Sequence, residues 1–479
     1  MLVNKMRKHL KVQIITIILF LCFAVSTASS NIIQRINTDK NLYFDLKSNS
    51  NDGSYESIIE SLNTMIHPLN SSPLNLTDED LQVLDYLGDS KIVGLGEATH
   101  GTKEFFQMKH RIFRYLVENH DFKIFAFECD MSESYYVDNF VTKGEGDIDY
   151  IMKISTWRTE EVKELLLWMR EYNEDKSNKE KIHFIGVDCR YIRYHSDIIL
   201  DYFKKTNISL TQDCLEFLNE IKKLKPENRI DFIKLGFYYR FMTANKKIKF
   251  DYDLDVLISE LEDSKDELIA NSSEFEYQFV KQLALNIKQV HNSNWIGYQS
   301  KHSDLNYWVL RDLYMTENTL WTSDLFGENT KVAVWAHNDH VKNLESWMGF
   351  YLKKELNNDY QTIGFSFSCG SFIARPGIYK LKIVFPPQKL QIKHQPKIGS
   401  INYVFHRAKY DNFILRDIDI QESSDFDNYI SQPQPFFMFG GVFSRLLHFL
   451  GFDYELIYLK EMFDVVINWD ITEAAEPLS

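Results

Sequence analysis

Residues 93–104 read Val-Gly-Leu-Gly-Glu-Ala-Thr-His-Gly-Thr-Lys-Glu, a short apolar strand that runs into a glycine-rich turn. The turn presents Glu97 and His100 three residues apart, and a helical pattern follows it. A strand leaves its last side chains at the open edge of a sheet, glycines permit a sharp reversal, and the next helix supplies free N–H groups. This stretch therefore predicts a site for acid–base chemistry on an α/β scaffold.

The same alternation of strand and helix recurs along the chain. Apolar runs typical of strands occupy residues 91–97, 122–128, 182–188, 331–337 and 362–368, with amphipathic patterns between most of them. Near-continuous apolar strands of this kind indicate a mainly parallel sheet covered on both faces. We therefore expect a three-layer α/β fold, with helices on both faces of the sheet and an added helical subdomain.

The helical subdomain is expected between residues 194 and 321, where strand signals are few. Helices are predicted at 195–204, 213–224, 231–244, 253–270 and 274–290. The last third returns to strands at 381–385, 413–417 and 463–469. The expected domain therefore spans 78–470, after an N-terminal lead at 29–77 that contains one short helix at 58–66, and before a C-terminal tail at 471–479.

The amino terminus resembles a secretory signal peptide. Lys5, Arg7, Lys8 and Lys11 precede an apolar run over 12–25, and Ser-Thr-Ala ends at residue 28. This pattern predicts removal of residues 1–28 and an exported (periplasmic or secreted) protein, with no stable membrane insertion after cleavage. An uncleaved anchor is the alternative.

Charge excludes one class of partner. Cleavage would remove four basic and no acidic residues, so the net charge of −14 would become −18. A chain this acidic is not suited to the phosphate backbone of a nucleic acid. The remaining cysteines (Cys129, Cys189, Cys214 and Cys369) form no CxxC pair, which disfavours a thiolate zinc site. Cys129 and Cys189 are either neighbours near two strand ends or, by the simpler interpretation, buried apolar thiols.

Polar residues gather at four predicted strand ends. They are Glu97 with His100, Glu128, Asp188 with Arg190, and the run His337, Asn338, Asp339 and His340. In an open α/β sheet, ligands bind beyond the carboxyl ends of the strands, so these residues can line one pocket. A neutral imidazole can take a proton from water while a carboxylate orients it. His100 with Glu97 or Glu128 supplies those parts, and His337 can polarise a substrate oxygen or act as the base. His340 is a second candidate for a functional histidine in this run. Alternatively, it caps a helix that begins near Val341.

These residues resemble the erythromycin esterase family. The matching segments are Gly-Leu-Gly-Glu97-Ala-Thr-His100-Gly-Thr-Lys-Glu104-Phe-Phe, Phe-Ala-Phe-Glu128, Trp157-Arg-Thr-Glu-Glu-Val, Trp168-Met-Arg-Glu-Tyr-Asn, Gly186-Val-Asp188, Arg311-Asp312-Leu-Tyr-Met315 and Trp335-Ala-His337-Asn338-Asp-His340. The resemblance covers residues 55–470.

The resemblance implies hydrolysis of a macrolide lactone or related small-molecule ester by activated water, without a covalent intermediate or a cofactor. It assigns catalytic roles to Glu97, His100, Glu128 and His337. Lys109, Trp157, Arg190, Asn338 and His340 are the expected substrate contacts. Lys109 stands where macrolide-cleaving members carry arginine, and lysine loses the bidentate fork, so recognition of ester oxygens is expected to differ.

Two other functions are consistent with the sequence. Glu97, His100, Glu128, His337 and His340 are all possible ligands for a divalent metal that would ionise water directly. A noncatalytic binder of hydrophobic glycosides or polymers would instead use aromatic residues such as Trp157 and Trp335. A serine hydrolase is disfavoured, because the chain has no GxSxG elbow. The oligomeric state is not predicted.

Overall fold

Short apolar segments of the chain pair to form one large sheet and two small ones. The computed structural model describes residues 55–69, 73, 78–155, 157–177, 180–226, 229–299, 306–378 and 383–478. The described strands are β1 (His67–Pro68), β2 (Ile92–Leu95), β3 (Phe122–Asp130), β4 (His183–Asp188), β5 (Lys331–Trp335), β6 (Tyr360–Ser366), β7 (Cys369–Ile378), β8 (Ile383–Val384), β9 (Gln388–Ile392), β10 (Asn412–Arg416), β11 (Gln434–Phe437), β12 (Val442–Phe443), β13 (Tyr454–Ile457), β14 (Val465–Trp469) and β15 (Ile471–Thr472).

The large sheet has eight strands in the order β1-β10-β14-β6-β2-β5-β3-β4. The six strands from β14 to β4 are mutually parallel, and β10 runs antiparallel to β14 and β1. Every residue of β2 is buried, as a central strand covered on both faces requires. The expected mainly parallel α/β sheet is confirmed.

The described α-helices surround this sheet. They are Glu56–Asn63, Lys103–His120, Met131–Lys143, Ile148–Ile154, Glu160–Asn173, His195–Thr206, Gln212–Lys222, Arg229–Arg240, Ala244–Asp263, Lys265–Ala270, Glu274–Gln299, Tyr307–Asp324, Asn338–Val341, Met348–Leu356, Ile401–His406, Asp425–Ile430, Arg445–Phe449 and Leu459–Met462. A 3₁₀ helix spans Glu79–Asp89. The helix Tyr307–Asp324 packs on β3, β4 and β5, whereas the helix Lys103–His120 packs on β3.

The strand order reverses between β2 and β5. The chain leaves β2 toward β3 and β4, and after β5 it continues to β6 on the opposite side of β2. Because such crossovers are right-handed, helices from the two halves cover opposite faces, and this topology places the ligand crevice of an open α/β sheet at the carboxyl ends of β2 and β5. The loops that carry Glu97, His100 and His337 leave these two strand ends.

Helices follow one another from His195 to Gln299 and again from Tyr307 to Asp324, with no strand among the described residues of this part. The helix expected at 253–270 is two helices, Ala244–Asp263 and Lys265–Ala270, which meet at Ser264. Residues Ser57–Ser479 form one compact unit. The predicted signal peptide at 1–28 and most of the predicted lead at 29–77 lie outside the described residues.

Two further observations concern membrane-spanning helices and the cysteines. Among the described residues, no helix combines the length and apolarity needed to cross a bilayer. Cys129, Cys189, Cys214 and Cys369 are free thiols, and of these four only Cys369 is not buried. Cys129 and Cys189 adjoin Asp130 and Asp188, which pair between β3 and β4, so the two buried thiols also lie at neighbouring strand ends.

Candidate active site

His100 lies at the crevice in a chain of hydrogen bonds that begins inside the protein. Its Nδ1 atom is 2.6 Å from Oε1 of Glu97, and Nζ of Lys109 donates to Oε2 of the same carboxylate over 2.6 Å. Glu97 and Lys109 are fully buried, whereas 26% of the His100 side chain is exposed. Within the described residues, the His100 Nε2 atom has no hydrogen-bond partner.

Local sequence explains why Glu97 points at His100. The backbone of Gly96 passes so close to Asn338 that an added Cβ would lie 2.2 Å from Oδ1 of that residue. The next turn approaches β7, where a Cβ on Gly101 would lie 2.0 Å from the carbonyl oxygen of Ile373. Only glycine fits these two positions, which fold the loop back over the strand end.

The Lys109 side chain is buried, pairs with Glu97 and does not face the crevice. Its Nζ atom lies 4.2 Å from the centroid of the Trp335 ring and 3.4 Å from the carbonyl oxygen of Ala336. Burial lowers the pKa of Lys109 to about 8, although Glu97 opposes that shift. The contact with substrate expected for Lys109 is therefore replaced by an ion pair with the residue that orients His100.

His337 follows β5 and faces His100. Their ring centroids lie 5.0 Å apart. The His337 backbone N–H donates to Oε2 of Glu128 over 3.0 Å, and Nδ1 caps the helix Asn338–Val341 by accepting from the Asp339 N–H over 3.2 Å. Its Nε2 atom is buried and has no partner within the described chain. Burial disfavours the charged ring, but the Asp339 carboxylate, 3.3 Å from Nδ1, leaves the pKa of His337 raised.

Glu128 positions the His337 loop and makes no hydrogen bond to His100 among the described contacts. Its Oε1 atom accepts from Nη2 of Arg311 over 2.9 Å and lies 3.2 Å from Nε2 of His340. Burial would raise the pKa of Glu128, but His340, His100 and Arg311 hold it well below its usual range. A carboxylate held ionised in this way is unsuited to shuttling protons.

Arg311 is the buried cation that joins the strand ends. Its Nε and Nη2 atoms donate to the two oxygens of Asp188 over 2.8 and 2.7 Å, the bidentate geometry for which arginine is suited. The sequence placed Arg311 and Asp312 in a family segment but assigned them no role. A charged pair within the apolar first half of the helix, between Leu310 and Met315, is the signal that would have identified them.

Two expected substrate contacts are occupied by the protein itself. The Asn338 side chain donates to the Phe365 carbonyl oxygen over 2.8 Å and accepts from the Phe365 N–H over 3.0 Å, so it ties the end of β5 to β6. His340 lies 2.7 Å from Asp312, and Asp312 and Glu128 raise its pKa to about 10 against the opposing effects of burial and Arg311. Both residues are buried behind His337 and Glu128. These contacts favour structural roles for Asn338 and His340.

Trp157 and Arg190 differ in exposure, since Trp157 is 8% exposed and Arg190 is partly exposed. The Trp157 ring meets the His100 ring edge to face at 5.2 Å, and its indole N–H donates to the Glu128 carbonyl oxygen over 3.2 Å. Arg190 follows β4 and is partly exposed; its guanidinium lies 5.6 Å from the Tyr191 ring and donates no hydrogen bond to a described residue. Trp157 therefore lies beside His100, and the guanidinium of Arg190 donates to none of the described residues.

The histidines and acids do not converge as a metal site would. Among the described residues, no three His, Cys, Asp or Glu side chains are arranged to hold an ion. Both oxygens of Glu97 are occupied, and Nδ1 of His100 and of His337 contacts a protein group. Metal dependence stays a prediction for experiment.

Comparison with known proteins identifies the family. The erythromycin esterase family profile matches residues 117–472. The chain belongs to the erythromycin esterase family. The matched range includes Glu128, Asp188, Arg311 and His337, and it begins downstream of Glu97 and His100.

Relatives and solved structures agree with this assignment. The Escherichia coli protein named erythromycin esterase type II is 26% identical over 341 residues, which cover 66% of this chain and 78% of that protein. The crystal structure of a succinoglycan biosynthesis protein has a TM-score of 0.73 at 24% identity, covering 89% of this chain and all of the other. An erythromycin esterase mutant in its open conformation has a TM-score of 0.59 at 14% identity, covering 85% of this chain and 97% of the other. At such identities the two structures establish the fold alone, and the erythromycin esterase family supports hydrolase activity.

Proposed function

We propose that this member of the erythromycin esterase family is an exported ester hydrolase that opens a macrolide-type lactone or related ester with water activated by His100. One observation carries the proposal. The rings of His100 and His337 lie 5.0 Å apart, and each has an Nε2 atom without a partner among the described residues. The two Nε2 atoms have complementary roles, one as acceptor and one as donor, because Nδ1 of each ring has a different partner.

His100 is the general base in this proposal. A carboxylate oxygen can only accept, so Nδ1 of His100 donates its hydrogen to Glu97 over 2.6 Å. In the neutral ring this leaves a lone pair on Nε2, which is the form that removes a proton from water. Glu97 then stabilises the imidazolium, and Lys109 keeps Glu97 in place through its second oxygen.

His337 is the hydrogen-bond donor to the developing oxyanion. In the neutral ring whose Nδ1 accepts from the Asp339 N–H, the hydrogen is on Nε2, and the Asp339 carboxylate, 3.3 Å from Nδ1, favours the cationic ring. The cationic ring also carries a hydrogen on Nε2. In both forms a buried donor is already in place beside the base, which is the arrangement that stabilises a tetrahedral oxyanion.

The reaction then proceeds in two steps. His100 takes a proton from water as its oxygen attacks the ester carbonyl, and the carbonyl oxygen becomes an oxyanion bound by His337. As the intermediate collapses, the proton on His100 passes to the leaving alkoxide, giving a carboxylic acid and an alcohol. No covalent bond to the protein is formed. The apolar wall at Trp157 suits a substrate with a large apolar body.

Mass spectrometry of the mature protein with a panel of macrolides and simple lactones tests this function. We expect the parent to add one water to at least one ester, with or without chelator. His100→Ala should lower turnover by roughly 10²–10⁴-fold, and the exposed His394→Ala should match the parent. Loss of activity in chelator, restored by a divalent metal, would favour the metal-dependent alternative. If every ester stays intact while a macrolide still binds, the noncatalytic alternative replaces this proposal.

A further inference from the structure

Residues 471–478 form a strap across the beginnings of two helices. The strap starts at β15, which pairs with β7, and the Ala474 N–H donates to Oγ of Ser371 over 3.0 Å. It then passes the helix Lys103–His120, which follows the His100 loop, and the helix Glu160–Asn173, which follows the Trp157 loop.

The strap makes the same set of contacts with each helix. At the first, the Lys103 N–H donates to the Glu473 carbonyl oxygen over 3.0 Å. The carboxylate of Glu104, one residue on, accepts from the Glu473 N–H with both oxygens, at 3.0 and 2.9 Å. Helix and strap residues thus satisfy each other's backbone groups, which a helix N-terminus otherwise leaves unpaired.

The second helix repeats the pattern three residues along the strap. The Glu160 N–H donates to the Glu476 carbonyl oxygen over 2.9 Å, and the carboxylate of Glu161 accepts from the Glu476 N–H at 3.1 and 3.3 Å. Glu104 and Glu161 are 7% and 4% exposed, so both carboxylates are directed to the strap and not to solvent.

Two more hydrogen bonds reach the residues next to His100 and Trp157. The Ala475 N–H donates to the Gly101 carbonyl oxygen over 3.0 Å, and the Leu478 N–H donates to the Arg158 carbonyl oxygen over 3.1 Å. One continuous segment therefore holds both loops whose rings meet at 5.2 Å in the crevice.

We propose that the strap sets the position of His100 relative to Trp157, with Glu104 and Glu161 as its positioning residues. The catalytic consequence rests on the proposed function, but the mechanical claim does not. The helices have other support, since Lys103–His120 packs on β3 and Glu160–Asn173 packs on Met131–Lys143. Release of the strap should therefore loosen the two loops without unfolding the sheet.

Three variants of the full chain test this. Glu104→Ala with Glu161→Ala removes both acceptors, Glu104→Gln with Glu161→Gln keeps one acceptor oxygen at each site, and Glu164→Ala is the control, an exposed carboxylate of the second helix. In hydrogen-exchange mass spectrometry, peptides containing residues 97–103 and 157–161 should exchange at least about tenfold faster in the double alanine variant. Peptides from β3 and β5 should be unchanged, and the glutamine variant should lie near the parent.

Steady-state kinetics distinguish a role of the strap in positioning His100 from a role in folding. They use an ester that the parent protein hydrolyses. The double alanine variant should lose about 10- to 100-fold in kcat with KM changed by less than about threefold, because misplacing a catalytic group by about 1 Å can cost roughly 10² in rate. The glutamine variant should recover most of kcat.

Unchanged exchange in the two loops would overturn the strap's role whether or not the protein is an esterase. Faster exchange throughout the sheet would also overturn it, because the effect would then be global stability. Loosened loops with an unchanged kcat would refute positioning. If no ester is hydrolysed, the proposed function fails, and the exchange experiment alone decides whether the strap holds the loops.

Discussion

At the scale of single residues, hydrogen-bond partners give two neighbouring histidines opposite chemistry. Glu97 can only accept from Nδ1 of His100, whereas Nδ1 of His337 meets the donating N–H of Asp339 and, in the cationic ring, the Asp339 carboxylate at 3.3 Å. In the proposed mechanism, a base and a hydrogen-bond donor therefore face each other, although both side chains are histidines. This arrangement depends on loop residues and not on the strands that carry the loops.

Replacing His337 by asparagine tests the donor. Asparagine is a good N-cap, so it keeps an acceptor for the Asp339 N–H while removing Nε2. We expect kcat to fall about 10²–10³-fold with little change in KM or in thermal unfolding. Steady-state kinetics measure kcat and KM, and calorimetry measures thermal unfolding. An unchanged kcat would exclude His337 from the oxyanion site.

His340 should make stability depend on pH. Its pKa rises from 6.5 to about 10 because Asp312 and Glu128 outweigh burial and Arg311. The folded protein therefore keeps a proton that the unfolded chain loses, and the resulting stabilisation is complete below pH 6.5 and is lost as pH rises through about 10.

Urea unfolding of the parent and of His340→Gln at about pH 6, 8 and 10 measures this linkage. The advantage of the parent over the variant should shrink as pH rises. A difference in the free energy of unfolding that stays constant over this range would show that His340 is not held in its charged form.

Part of the site was predictable residue by residue. Glu97, His100 and His337 were predicted to lie together because polar groups directly after apolar strands meet at one sheet edge, and the structure brings these three side chains together. Lys109 and Asn338 were assigned to substrate, but both are buried against protein groups. Periodicity tells which helix face is apolar and does not tell which buried polar residue finds a partner across the fold.

At the scale of elements, the ends of β3 and β4 are held by the helix Tyr307–Asp324 through Arg311. Arg311→Lys would keep one positive charge but lose the fork on Asp188 and the contact with Glu128. Breaking a buried ion pair in this way should lower the free energy of unfolding by about 3–5 kcal/mol, measured by urea denaturation.

Arg114→Lys is the matched control, because Arg114 and its partner Asp78 are each 18% exposed. That variant should change the free energy of unfolding by less than about 1 kcal/mol. Equal effects of the two substitutions would contradict the structural importance of the Arg311 network.

The elements that the sequence predicted are those with a strong signal of their own. Continuous apolar runs predicted β2 to β6, each within a few residues. The strands β1, β7, β9, β11, β12, β13 and β15 were not predicted. Most are short, and β12 and β15 pair with a strand that is distant in the sequence. β7 also contains Pro376 and glycines, which disguise it as a loop.

At the scale of the whole molecule, the reversal of strand order brings distant residues to one crevice. Glu97 and His337 are 240 positions apart in the sequence, yet they follow adjacent parallel strands. The sequence predicts the fold class. It does not predict the order of the strands in the sheet, because that order depends on which strands pair.

Export is a property of the whole chain that the amino terminus predicts. Expression in a host with a general secretion pathway should release a protein whose intact mass corresponds to a start near residue 29. Retention of residues 1–28 in a membrane fraction would support the anchored alternative instead.

Direct activation of water by His100 can be measured in single-turnover hydrolysis of a cleaved lactone, quenched during the reaction and analysed by intact-protein mass spectrometry. We expect product to form with the protein mass unchanged at every time, and the chemical step to be slowed at least about 10²-fold in His100→Ala. A transient acyl adduct on the protein, or a variant within about tenfold of the parent, would contradict it.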